Sequence, residues 1–91
     1  MQTPTEYTDE ELIVMLKEKS VTSISILYDR YAPAIYGVIL RKVENVELAE
    51  TILQQTFIHI WNNPTFDDRF KKHLLLCLII IANSIADKEM K

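Results

Sequence analysis

Histidine and cysteine are the side chains of this chain best suited to catalysis or metal binding, and the sequence holds three of them: His59, His73 and Cys77. His73 and Cys77 are four residues apart, so on a helix they would share one face and could both ligate a metal ion. Two ligands do not close a zinc site, and a histidine beside a buried cysteine is the simpler interpretation. Neither histidine has a nucleophile and an orienting group in its sequence setting. We therefore expect no enzymatic activity, no metal and no cofactor.

The segment from residue 47 to residue 61 carries two interlocking stripes at helical spacing. One stripe is apolar and predicts a buried face; it consists of Ala49, Ile52, Leu53, Phe57 and Ile60. The other stripe is polar and carries little positive charge, which suits a protein partner better than DNA; it consists of Glu47, Glu50, Thr51, Gln54 and Gln55. These stripes predict a docking helix, and the alternative is the solvated side of an ordinary amphipathic helix.

Capping residues and one proline delimit the two helices before this segment. Residues 8–11 form a capping box, which predicts a short first helix that ends at about Lys19. Ser20 is a candidate cap for a second helix, which we expect to end near Val43. Pro33 lies inside this second helix and predicts either a kink or a break into two helices.

Two further helices are predicted in the second half of the chain. Asn45 is the natural cap of the third helix, which the pair 63–64, Asn-Pro, stops. An aspartate at 67 or 68 could cap a fourth helix that continues from 71 to 91 without proline or glycine. Residues 74–82 are nine apolar residues in a row, which is too short a run to span a membrane as a helix.

The composition indicates a single small helical domain over residues 1–91. The chain is 48% hydrophobic, with one glycine and three prolines. One cysteine cannot form an internal disulfide, and the first residues lack the basic and apolar segments of a signal peptide, so we expect a cytoplasmic protein. The net charge is −3; residues 1–65 hold five Lys/Arg against nine Asp/Glu, and residues 66–91 hold five against four. Little positive charge is available for binding phosphate.

Several short sequence motifs at fixed spacing, taken together, resemble those of a known family. The motifs are Leu27-Tyr28, Tyr31-Ala32-Pro33, Ala49-Glu50 and the run from Gln54 to Trp61. In this set the chain, from about residue 9 to residue 87, resembles region 2 of bacterial RNA polymerase sigma factors of the extracytoplasmic function group, in the sigma-70 family. The resemblance implies an all-α fold, a compact bundle of three to four principal helices.

The resemblance also implies a partner, the beta-prime subunit of core RNA polymerase, which in the family receives the third helix on a coiled coil. Glu50 and Gln54 match the family pattern, whereas Thr51 replaces a usual aspartate and Gln55 a usual glutamate. The whole polar stripe is the candidate polymerase-binding surface. Arg41 and Lys42 are a second candidate contact, and the alternative for these two is a pair of solvated charges at a helix end.

The family's other task is to recognise and melt promoter DNA at the minus-ten element, using the connector and the fourth helix. Asn83 matches the family's asparagine, but Ala82 stands where an arginine is usual and Leu76 where a tryptophan is usual. The DNA surface implied by the resemblance is therefore degenerate. Its candidate residues are Phe66, Arg69, Phe70, Lys71, Lys72, Asn83, Lys88 and Lys91.

The fourth helix is apolar nearly all round, so a domain this small should leave part of Leu74 to Ile81 exposed. Such a patch predicts a homodimer, or packing against a C-terminal domain or an inhibitory anti-sigma protein. The alternative is a tilted helix that buries all these side chains.

Three functions remain open from the sequence. The first is a sigma factor domain that binds core polymerase and takes part in promoter recognition and melting. The second is a sigma-like adaptor or decoy that docks polymerase or an inhibitor without binding DNA, which the acidic balance favours. The third is a helical oligomerisation domain.

Overall fold

The computed structural model describes residues 7–63 and 73–90, and these residues form four α-helices. They are α1 (Asp9–Lys17), α2 (Val21–Val43), α3 (Val46–Asn62) and α4 (Leu74–Glu89). Helices α2, α3 and α4 pack against one another, and α1 packs on α2. The predicted all-α bundle is confirmed. None of the described helices is long and apolar enough to cross a membrane.

The core lies where α2, α3 and α4 meet, and α1 covers one end of it. Each helix contributes a stripe at helical spacing, as amphipathic helices do around a single core. The largest apolar side chains that are fully buried are Leu12, Leu16, Leu27, Ile35, Ile39, Ile52, Ile60, Leu74 and Leu78. Thr56 is also fully buried, and its hydroxyl donates to the Ile52 carbonyl at 2.8 Å, which satisfies the buried polar group.

The predicted caps of α1 and α3 are both present. Thr8 and Glu11 form a capping box, with the Glu11 amide donating to Thr8 Oγ1 at 3.1 Å and the Thr8 amide donating to Glu11 Oε1 at 2.8 Å. The Asn45 side chain accepts from the Leu48 amide at 2.9 Å. Ser20 occupies the N-cap position of α2, but its side chain makes no cap hydrogen bond.

Two predicted features of the helices need correction, and a third is not tested by the described residues. Helix α1 ends at Lys17 because Lys19 adopts a left-handed backbone with φ of 60°, which turns the chain into α2. Helix α2 runs unbroken through Pro33, so the predicted break into two helices is wrong. The described part of the fourth helix begins at Leu74; the caps predicted at 67 and 68 lie outside the described residues.

Candidate functional site

The polar stripe of α3 faces away from the core. Its five members are exposed, and we call them the α3 outward face: Glu47, Glu50, Thr51, Gln54 and Gln55. The predicted buried stripe on the opposite side is confirmed, because Ala49, Ile52, Leu53, Phe57 and Ile60 are all buried. Thr51 turns its hydroxyl inward along the helix and donates to the Glu47 carbonyl at 3.1 Å. The other four side chains extend into solvent.

Two apolar hollows follow the line where α2 packs on α3, and sequence reasoning missed them. One, of about 310 Å³, is lined by Tyr28, Asp29, Ala32, Pro33, Tyr36 and Leu53. The other, of about 330 Å³, is lined by Val21, Ile24, Phe57, Ile58 and Trp61. They adjoin where the Tyr28 ring lies 5.0 Å from the Phe57 ring, centroid to centroid. We call the two hollows together the α2–α3 groove.

The groove borders the α3 outward face. Ile58 follows Gln54 by four residues and therefore lies on the same side of the helix. Val21 and Ile58 are 72% and 57% exposed, which is high for apolar side chains on neighbouring helices. In the sequence, the groove could have been suspected because Val21 and Ile58 are apolar residues that lie outside the apolar stripes predicted to be buried. Ile58 lies among the polar residues of α3 and is exposed, so it belongs to the solvent side of the helix and not to the core.

The charged residues near the groove differ between its two hollows. Helix α3 contains no lysine or arginine, and it carries Glu47 and Glu50 on its outward face. Asp29 lines the groove from the α2 side. At the far end Lys19 reaches Trp61: its ammonium group donates to the Trp61 carbonyl and lies 4.9 Å from the centre of the indole ring. The groove is therefore lined by apolar side chains, with the acid Asp29 in one hollow and the cation Lys19 beside the other, and it lies next to an α3 outward face that carries two glutamates.

Arg41 and Lys42 lie at the C-terminal end of α2, and both are exposed. The Lys42 ammonium lies 2.9 Å from Asp87 Oδ1 on α4. One of the two cations proposed as a polymerase contact thus already has a partner within the fold. The pair ties the end of α2 to the end of α4.

The predicted DNA-binding set is only partly covered by the described residues. Asn83 is half-buried and Lys88 is exposed, both on α4. The other candidates lie outside the described residues: Phe66, Arg69, Phe70, Lys71, Lys72 and Lys91. The two positions at which the resemblance predicts an arginine and a tryptophan have different surroundings. Ala82 is fully buried, whereas Leu76 is half exposed.

The N-terminal end of α4 is held by a side chain from α1. Asp9 accepts a hydrogen bond from the Leu74 amide at 3.2 Å and from the Tyr31 hydroxyl at 2.5 Å, and Arg30 lies 3.6 Å from the same carboxylate. Burial raises the pKa of Tyr31 above its ordinary value, and the hydrogen bond to Asp9 raises it further. A carboxylate at this position also suits the positive end of a helix.

His73 lies at the N-cap position, directly before α4, and Cys77 lies in the first turn of the helix, so the two residues do not both lie within the helix as the sequence suggested. His73 is exposed at the N-cap, and burial raises the pKa of the Cys77 thiol. Within residues 7–63 and 73–90 no group of three or more His, Cys, Asp or Glu side chains is placed to hold a metal ion.

The fold and the site define a small helical bundle with an outward polar helix beside an apolar groove. Comparison with protein-family models, with curated proteins and with solved structures found no match to this chain.

Proposed function

We propose that this chain is a sigma region 2-like domain that binds the beta-prime subunit of core RNA polymerase through the α3 outward face. The observation that carries the proposal is the exposure of the α3 outward face, with Glu50 and Gln54 directed to solvent. These are the two positions that match the family pattern. Because the face adjoins an apolar groove, a docked helical partner could bury apolar side chains while the polar side chains fix its orientation.

The charge of the surface specifies the partner's chemistry further. Asp29 lines the groove, Glu47 and Glu50 lie on the α3 outward face, and α3 contains no lysine or arginine. A helix that fits this surface would carry an apolar stripe flanked by lysine or arginine. Association with such a helix should weaken as salt is added, because exposed charge pairs are screened.

A pull-down with core RNA polymerase tests the proposal. The native chain should bind, and a double variant, Glu50→Ala with Gln54→Ala, should bind at least about tenfold more weakly, a loss of about 1.4 kcal/mol. Glu10→Ala is the matched control, since Glu10 is an exposed helical glutamate on α1. Equal binding by the native chain and the double variant would rule out docking through α3.

In this proposal the domain also takes part in promoter recognition and melting at the minus-ten element. Lys88 and the half-buried Asn83 are the candidate DNA contacts within the described residues. A single-stranded minus-ten oligonucleotide should bind, with an affinity that falls as salt rises. Lys88→Ala should lower that affinity, and Lys17→Ala on α1 serves as the control for a loss of charge elsewhere.

A second candidate function is a sigma-like adaptor or decoy that docks polymerase without binding DNA. The observation that favours it is the burial of Ala82, the position where the family carries an arginine. Polymerase binding by a chain that shows no salt-dependent affinity for the oligonucleotide would select this function over the first.

A further inference from the structure

Helix α4 turns a second apolar surface away from the core. Its buried stripe consists of Leu74, Leu78, Ala82 and Ala86. On the opposite side Leu76 and Ile80 are 50% and 49% exposed, and the half-buried Cys77 and Ile79 flank them. We call these four residues, 76, 77, 79 and 80, the α4 patch. Apolar side chains left in water are a driving force for association, because covering them releases hydration water.

We propose that the α4 patch pairs with the same patch of a second copy of this chain, as an antiparallel two-fold dimer. Charge is the first argument. The chain carries a net charge of −3, so two copies repel each other overall, and association is favoured where a surface carries no charge. Residues 74–86 of α4 contain no charged side chain. The α3 outward face, by contrast, would place glutamates opposite glutamates.

Spacing is the second argument. Leu76 and Ile80 stand equally far on either side of the buried Leu78 along the helix. A two-fold axis at the level of Leu78 therefore packs Leu76 of one copy against Ile80 of the other, and the reverse contact follows from symmetry. The same axis brings the exposed His73 towards Asn83 of the other copy, where an imidazole and a carboxamide can form a hydrogen bond.

The size of the patch sets the strength of the dimer. Stable complexes bury about 800 Å² on each partner. A surface one helix wide falls short of that area, so the dimer should dissociate on dilution. The proposal needs neither polymerase nor DNA, and it stands or falls independently of the function proposed above.

Sedimentation velocity over a series of protein concentrations tests the dimer. The native chain should shift from monomer towards dimer as concentration rises, and Ile80→Glu and Leu76→Glu should each abolish the shift. Val14→Glu is the matched control, because Val14 on α1 is 54% exposed and should leave the shift unchanged. Circular dichroism confirms that each variant is folded. A native chain that stays monomeric at every concentration overturns the proposal.

Cross-linking tests the arrangement. In a Cys77→Ser background, one chain carries Leu76→Cys and a second carries Ile80→Cys. Mild oxidation of the mixture should give chiefly the mixed disulfide, whereas either chain alone should cross-link poorly. Efficient cross-linking of each chain with itself would overturn the antiparallel register. An association that survives Ile80→Glu and is lost in Ile58→Glu would assign the contact to the α2–α3 groove and would also overturn the proposal.

Discussion

Helices α3 and α4 each bury one narrow stripe against a shared core, yet they present different chemistry to solvent. The outward side of α3 carries acids, amides and a threonine, whereas that of α4 carries leucine and isoleucine. Burial of one stripe is enough to place a helix in the bundle. The fold therefore does not constrain which residue types stand on the outward faces. The residue types found there are informative about function for that reason.

The helices also differ in how their N-terminal ends are held. Helix α3 is capped by Asn45, the residue directly before it, whereas α4 receives a carboxylate from Asp9, 65 residues away. A local cap forms with its own helix. The distant cap forms only when α1 has docked, so the order of the first turn of α4 depends on α1.

The largest expected effect concerns the buried side of α4. Ala82→Arg should lower the free energy of unfolding by about 3–5 kcal/mol, because it places an unpaired charge in a fully buried position. Gln54→Arg, on the outward side of α3, is the control and should change the free energy of unfolding by about 0.5 kcal/mol or less. Urea unfolding measures both. If Ala82→Arg keeps native stability, the side chain reaches solvent, and position 82 becomes available for DNA.

Removal of the distant cap should have the next largest effect. Asp9→Ala leaves the Leu74 amide and the Tyr31 hydroxyl without their acceptor and should lower the free energy of unfolding by about 1–3 kcal/mol. Hydrogen exchange should accelerate in the first turn of α4 more than in α3. Uniform acceleration in both helices would contradict a specific coupling between α1 and α4.

Removal of the local cap provides the counterpart. Asn45→Ala should lower the free energy of unfolding by about 1 kcal/mol, because the Leu48 amide loses its acceptor. The faster exchange should be confined to the start of α3. Fast exchange at the start of α4 in this variant would mean that the two ends are not independent.

High pH should distinguish the two caps further. The pKa of Tyr31 is raised in the fold, so the neutral phenol is favoured there. The neutral phenol of Tyr31 contributes its full stabilisation below the pKa of an unfolded tyrosine, about 10. This stabilisation is lost as pH rises through the higher pKa of the folded state. Tyr31→Phe should flatten the loss of stability in alkaline unfolding. The amide cap of Asn45 does not titrate, so Asn45→Ala should leave that slope unchanged.

The smallest expected effect belongs to the pair that joins α2 to α4. Lys42→Ala removes a partly exposed ion pair and should lower the free energy of unfolding by about 0–1 kcal/mol, with a smaller effect in high salt. A clear loss of polymerase binding in this variant, without a loss of stability, would show that Lys42 acts outward as well.

Local signals in the sequence were sufficient to predict α3 and its two faces. Its cap, its period and its proline stop act over a few residues, so they can be read without knowing the fold. The fourth helix lacks periodicity, and only its uninterrupted apolar length indicated a helix. The apolar composition of the fourth helix predicted that part of the helix would be exposed, and the exposure of Leu76 and Ile80 confirms this prediction.

The remaining features depend on packing between distant segments. The α2–α3 groove exists because Tyr28 and Phe57 meet across two helices, and the Asp9 cap exists because α1 reaches α4. No local pattern specifies either contact. Ala82 illustrates the same limit. The resemblance to sigma region 2 leads one to expect an arginine at this position, whereas in the fold Ala82 is a small, fully buried residue on the side of α4 that faces the core.

Trp61 is the chain's single tryptophan, and it lines the α2–α3 groove beneath the ammonium group of Lys19. Indole emission responds to polarity and to a nearby cation, so the native chain carries a built-in optical reporter at this position. A ligand that enters the groove should change the fluorescence spectrum without any added label. Small-molecule or peptide libraries could therefore be screened by titration on the unmodified protein.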